Sequence, residues 1–98
     1  MSSTAVTKTI EAQNIFSDPV RLIGSFNFSL SGTFSATVVV QRSVDGSTWA
    51  DVDSFTAATE EVGYEPEVMY YRAGVKTGGY TSGSAVVRLA YDPQNRLN

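Results

Sequence analysis

The chain has 98 residues, 42% of them apolar, 11% aromatic and 17% charged, with no cysteine, no histidine and a net charge of −3. A chain of this length buries roughly 60–70% of the surface its unfolded form exposes, so the composition predicts one folded domain spanning 1–98 and not a disordered segment. The missing cysteines exclude disulfides and thiolate metal sites; the missing histidines remove the commonest general base, the commonest metal ligand and every Ser-His or Cys-His nucleophile pair.

The N-terminus "MSSTAVTKTI" lacks the basic stretch and apolar run of a signal peptide, and no segment approaches the roughly 18 consecutive apolar residues that cross a bilayer. The expectation is a soluble product made in the cytoplasm, with no membrane partner. Seven basic residues are scattered among ten acidic ones, which also points away from nucleic acid. A first strand is expected near Ala5 to Glu11, with Val6 and Ile10 facing together, while residues 1–4 are expected to be loose or to contact a partner. In "VRLIGSFNFSLSG" the residues Val20, Leu22, Phe26, Phe28 and Leu30 share one parity, the period of a half-buried strand. Ser31 to Thr33 is read as a turn, so that the chain returns in a hairpin through Phe34, Ala36, Val38, Val40 and Val44, with Val38 to Val40 apolar on both faces as in a central strand.

The Asp-Gly of "SVDGSTW" predicts a second hairpin, because both residues tolerate positive φ. In the strand after it Val52 is expected to point inward between outward-facing Asp51 and Asp53, with a bulge or strand end near Ser54 to accommodate Phe55. A short strand around Glu60 to Tyr64 is followed by a loop bearing Pro66, and then by "VMYYRAGVK", where Met69, Tyr71, Ala73 and Val75 form the buried face. "TGGYTSG" is read as a loop with Tyr80 at its tip. The last strand, "SAVVRLAY", buries Ala85, Val87, Leu89 and Tyr91 and is stopped by Asp92-Pro93, with 92–98 as a second loose or partner-contacting end. Six or seven short antiparallel strands and no sustained helical period define the class: all-β, a small antiparallel β-sandwich of immunoglobulin-like or jelly-roll-like kind.

Chemistry is confined to carboxylates. Asp51 with Asp53, Glu60 with Glu61 and Glu65 with Glu67 are the candidate acid–base pairs, and Asp51 with Asp53 at strand spacing on one face would suit two carboxyls flanking a glycosidic bond. Their ordinary place is the wetted face of an amphipathic strand, and that is where they are expected. Asp45, Ser47 and Thr48, even with Asp51, supply too few oxygens for calcium, so no metal and no cofactor is expected. The glycines do not precede a helix and form no phosphate-binding motif. Tyr80, Tyr70 and Trp49 could stack on a sugar, the basis of an alternative reading as a carbohydrate-binding module.

The segment "RSVDGSTW" resembles the Asp-box, the SxDxGxTW hairpin of sialidase-type propellers and many small β domains; Ser43, Asp45, Thr48 and Trp49 match and one turn residue is missing. In those families the box is a structural turn. From residue 20 to 90 the chain as a whole resembles small all-β proteins that tailed bacteriophages encode among their virion genes. The marks are Gly32 to Phe34, "QRSVDGSTW", "EPE" at Glu65 to Glu67 before "YYRAG", and "GGYTSG" before the last strand. The resemblance implies a non-enzymatic virion component, a head decoration (cement) protein or a tail- or fibre-associated subunit. With it come the major capsid protein or other virion proteins as partners, a homo-oligomeric state, and no catalytic, metal or cofactor residue. On this reading the contact residues are Tyr80, Tyr70, Tyr64, Glu65 and Glu67. Exposed strand edges would add further contacts by pairing with a neighbour's terminal segment.

Overall fold

Alternation of apolar and polar side chains produces strands throughout the computed structural model, which describes residues 4–91; the expectations placed on 1–3 and 92–98 lie outside these. The strands are β1 (Thr4–Ile10), β2 (Ile15–Phe16), β3 (Val20–Ala36), β4 (Val38–Ser43), β5 (Ala50–Phe55), β6 (Thr59–Val75) and β7 (Tyr80–Tyr91), and no helix occurs among the described residues. Every pairing is antiparallel, and together they form one continuous sheet in the order β1-β7-β3-β6-β4-β5, with β2 added to the end of β6.

The sheet is not flat. The Phe28 ring on β3 stacks on Phe55 of β5 with centroids 5.5 Å apart. Yet β6 and β4 stand between those strands in the sheet order, and three inter-strand steps in a flat sheet would separate them by about 14 Å. The sheet therefore folds over its own apolar face into a layered, sandwich-like body. The two long strands make this possible. The C-terminal part of β6 is flanked by β4 and by the start of β3, its N-terminal part pairs with the middle of β3, and β3 from Phe26 onward also pairs with β7. Between the layers lie Leu22, Leu30, Val38, Val75, Val87 and Leu89, each almost wholly buried.

The predicted buried rows of β1, β3, β6 and β7 hold for the most part: Ile10, Val20, Leu22, Phe28 and Leu30 are buried, as are Met69, Tyr71, Ala73, Val75, Ala85, Val87 and Leu89, whereas Val6, Phe26 and Tyr91 are half-buried against the core. Val38 to Val40 lie in a strand with neighbours on both sides, as their two-faced apolarity requires. The Asp-Gly hairpin joins β4 to β5 as expected.

Five expectations are corrected. The turn at Ser31 to Thr33 does not exist: β3 runs through it, and β3 and β4 do not pair. Gly32 has φ 105°, and a Cβ there would meet the carbonyl oxygen of Ser84 on β7, so this glycine serves a close inter-strand approach and not a reversal. The change of direction comes later, at Thr37, whose N–H donates to Gly79 O (2.8 Å) as the chain passes from beside β7 to beside β6. Val44 is exposed because β4 ends at Ser43. Val52 is exposed too: Val40 faces Asp53 and Gln41 faces Asp51, one step on β4 against two on β5, so Val52 is the extra residue of a bulge placed two positions before the expected site.

The segment around Pro66 is not a loop between strands but part of β6. Leu22 faces Met69 and Gly24 faces Glu65, two steps on β3 against four on β6, and the surplus forms a bulge that accommodates the missing N–H of Pro66. Lastly, "TGGYTSG" is a short turn at Thr77–Gly79 and then β7; Tyr80 is a strand residue, not a loop tip.

Candidate interaction site

The polar groups of the β4–β6 region divide by face. On the inner face, Arg42 continues the row of Val38 and Val40, and Glu65 continues the row of Met69 and Tyr71 across the bulge. They meet at the end of the core. Arg42 Nε donates to Glu65 Oε1 (2.7 Å) and Nη2 to Oε2 (2.9 Å); the Tyr71 hydroxyl donates to Oε1 (2.8 Å) and the Glu67 N–H to Oε2 (3.2 Å). Glu65 is only 2% exposed, which corrects its placement among wetted carboxylates and partner contacts. The Arg42 guanidinium, more than the tyrosine and the backbone N–H, holds its carboxyl below the usual range despite burial, while burial and then the neighbouring carboxylate push the Tyr71 phenol up to about 12. Both oxygens being committed, Glu65 has no free lone pair directed at a substrate. Its role is to close the core.

On the outer face, Gln41 Nε2 donates to Asp51 Oδ1 (2.8 Å), Arg72 Nε donates to Gln41 Oε1 (2.8 Å) and Lys76 Nζ donates to Asp51 Oδ2 (2.7 Å). The Arg72 guanidinium lies 4.1 Å from the Phe16 ring centroid and 4.4 Å from that of Trp49, sandwiched between them. Asp51 is held below its usual range by Lys76 first and Gln41 second. Asp51 shares this face with Gln41, whereas Asp53 shares the opposite face with Val40. The proposed Asp51–Asp53 pair is thus split by the bulge and cannot flank one bond.

The hairpin loop behaves as its Asp-box likeness implies. Asp45 Oδ1 accepts from Ser47 N (2.8 Å), Thr48 N (2.9 Å) and Ser43 Oγ (2.9 Å), and Gly46 takes φ 81°. Backbone N–H groups thereby draw the Asp45 carboxyl below its usual range, and its Oδ1 is engaged within the turn. Among the described residues no cluster of three or more acidic side chains is placed to hold a metal ion.

The three candidate stacking rings each have internal contacts. Trp49 covers Arg72, Tyr70 is half-buried against Gly46, and half-buried Tyr80 packs on the core while its hydroxyl donates to Gly83 O (2.9 Å). Glu60 accepts from Ser29 Oγ (2.7 Å) on the outer face, and Glu61, the next residue, turns the other way. Glu67 is exposed, as is Tyr64 at 71%.

What the structure does bring together is an opening between β5 and the N-terminal half of β6. A cleft of about 180 Å³ is floored by Phe26, Phe28, Phe55 and Tyr71 and flanked by Val52 and Asp53 on one side and Glu61 to Tyr64 on the other. The Phe26 and Tyr71 rings pack against each other 4.7 Å apart. Three exposed large apolar residues border it, Val52 (48%), Val62 (85%) and Tyr64; Val62 and Tyr64 face Asn27 and Ser25 of β3, so their side chains stand on the outer face, opposite to the floor. Of its residues the sequence reading named Tyr64 as a contact but missed the opening itself, because it placed Val52 inward and treated Glu60 to Tyr64 as a short, weak strand. The available signal was Val62 and Tyr64, two large apolar groups on the wetted parity of an otherwise acidic strand. Compared with known protein families, curated proteins and solved structures, the chain matches none.

Proposed function

We propose that the chain is a non-enzymatic structural protein that works by covering and joining other protein subunits, and specifically a capsid decoration (cement) protein of a tailed bacteriophage. The observation that supports the associative reading is an aromatic-floored cleft beside a strand edge, unpaired among the described residues, that also exposes Val62 and Tyr64 on its outer face, since uncovered apolar groups beside a free edge favour contact with another protein. The commitment of both carboxylate oxygens of Glu65 and of Asp51 to internal partners favours it over hydrolysis by these groups. The resemblance of residues 20–90 to small all-β virion proteins supports the phage assignment, with the major capsid protein as partner. Many copies on a shell would make even small interfaces effective, because simultaneous contacts add avidity without new chemistry. A tail- or fibre-associated position uses the same surface and rests on the same resemblance.

The test is binding to purified shells assembled without the protein. Recombinant chain is expected to saturate such shells and raise the temperature at which they open; shells that neither bind it nor gain heat resistance would reject the decoration role. Titration of Trp49 fluorescence with a glycan panel is expected to give no quenching, since that ring is already occupied by Arg72.

A further inference from the structure

β5 and β6 are joined by only three residues, Thr56–Ala58, yet they do not pair with each other. On β5 the pairing is with β4 alone. On β6, β3 occupies one edge from Thr59 to Glu65, and β4 takes up the other only from Tyr70 onward, so among the described residues the opposite edge of the N-terminal half has no partner. The cleft lies between β5 and this free edge.

We propose that this opening is a strand-acceptor slot: it takes an extended terminal segment of another protein, which pairs through its main chain with the free edge of β6 and sets apolar side chains on the Phe26, Phe28 and Phe55 floor. The inference rests on the reading of the chain as a protein-binding module and specifies how it binds. Unpaired N–H and C=O groups along an edge provide a template that any extended backbone can satisfy, and alternate side chains then supply selectivity. Charge fixes the kind of segment. The flanking residues include Asp53 and Glu61, and no lysine or arginine lines the cleft, so the preferred segment alternates apolar residues and carries a basic one at the rim. A second copy offering its own β5 or β6 would set Asp53, Glu60 and Glu61 against the same acidic rim, which disfavours self-pairing.

The experiment uses the full chain, 15N-labelled, titrated to millimolar concentration with a synthetic peptide of about six residues that alternates valine and threonine around a central lysine. Amide shifts confined to residues 52–55 and 60–64, with slowed hydrogen exchange of the β6 edge amides, are expected. Replacing the lysine with glutamate should weaken binding by about tenfold or more, and an N-methylated peptide, having lost its donors, should not bind. In the Asp53→Lys, Glu61→Lys variant the preference should reverse toward the glutamate peptide; both positions are exposed, so the fold should survive. The proposal is overturned by absence of shifts in both the parent and the charge-reversed chain, by equal binding of the N-methylated peptide, or by protection of the edge amides in the free chain, which would show the slot already filled by a second copy or by residues 92–98. Shell binding without peptide binding would remove the slot and leave the decoration role; peptide binding without shell binding would do the reverse.

Discussion

At Glu65, burial would by itself drive a carboxyl toward its neutral form, yet Arg42 and the Tyr71 hydroxyl hold it ionised at the end of the core. Removing one partner of such a group exposes the desolvation that the other bonds had offset, so Glu65→Gln is expected to lower the unfolding free energy by about 1–3 kcal/mol, measured by urea denaturation. Tyr71→Phe keeps the ring against Phe26 and loses one donor to the carboxylate, a cost of about 1 kcal/mol. The pH dependence follows from the direction of each shift. Glu65, Asp45 and Asp51 have lowered folded values, so their contribution is complete above the ordinary carboxylate range near pH 4 and is lost as pH falls through the lower folded values. Tyr71 is raised, so its contribution is complete below about pH 10 and is lost as pH climbs to about 12. The urea midpoint should therefore stay flat through neutral pH and decline at both ends, with the acid decline shallower in Glu65→Gln; a midpoint that rises on acidification would contradict the ion pair.

Among elements, the strands obey parity more faithfully than they obey turn signals. Gly32 sits in a Ser-Gly-Thr triplet that reads as a reversal, but its positive φ and its closeness to Ser84 belong to the β3–β7 pairing. Gly32→Ala should therefore be severely destabilising, since the backbone of β7 has to shift, whereas Gly78→Ala, with open space around it, should show only the milder strain of its φ of 87°. Thermal melts of the two variants compare them directly. In the hairpin loop, Asp45→Ala should leave the pairing of β4 and β5 intact and speed hydrogen exchange at the Ser47 and Thr48 amides, which lose their acceptor. Much of the fold was legible in this way: the row Val20, Leu22, Phe28, Leu30 and the row Met69, Tyr71, Ala73, Val75 are periodic enough to fix their faces from the sequence. The Arg42–Glu65 pair was not legible: Arg42 lies on the parity of Val38 and Val40, but Glu65 joins that of Met69 only once β6 is carried through Pro66, where the sequence reads as a loop. What could not be read was pairing between distant segments. The bulges at Val52 and around Pro66 are set by what lies across the sheet, and they decide that Asp51 and Asp53 part company and that Val52 turns outward.

For the whole molecule, a sheet of seven strands that curls without closing must leave edges somewhere, and edges are an association hazard unless short, charged or occupied. Here β5 is bulged and acidic, and the free edge of β6 carries Glu60 and Glu61 beside Val62 and Tyr64. That mixture deters indiscriminate pairing while leaving apolar area for a partner of opposite charge. The account stands on the claim that this opening, and no catalytic group, is what the protein uses. Co-sedimentation of the Val62→Asp, Tyr64→Asp variant with shells assembled without the protein tests it most directly, because both side chains are exposed and their loss should leave the melting temperature nearly unchanged. Wild-type chain is expected to pellet with the shells and the folded variant to stay in the supernatant; a variant that binds with wild-type stoichiometry would contradict the account.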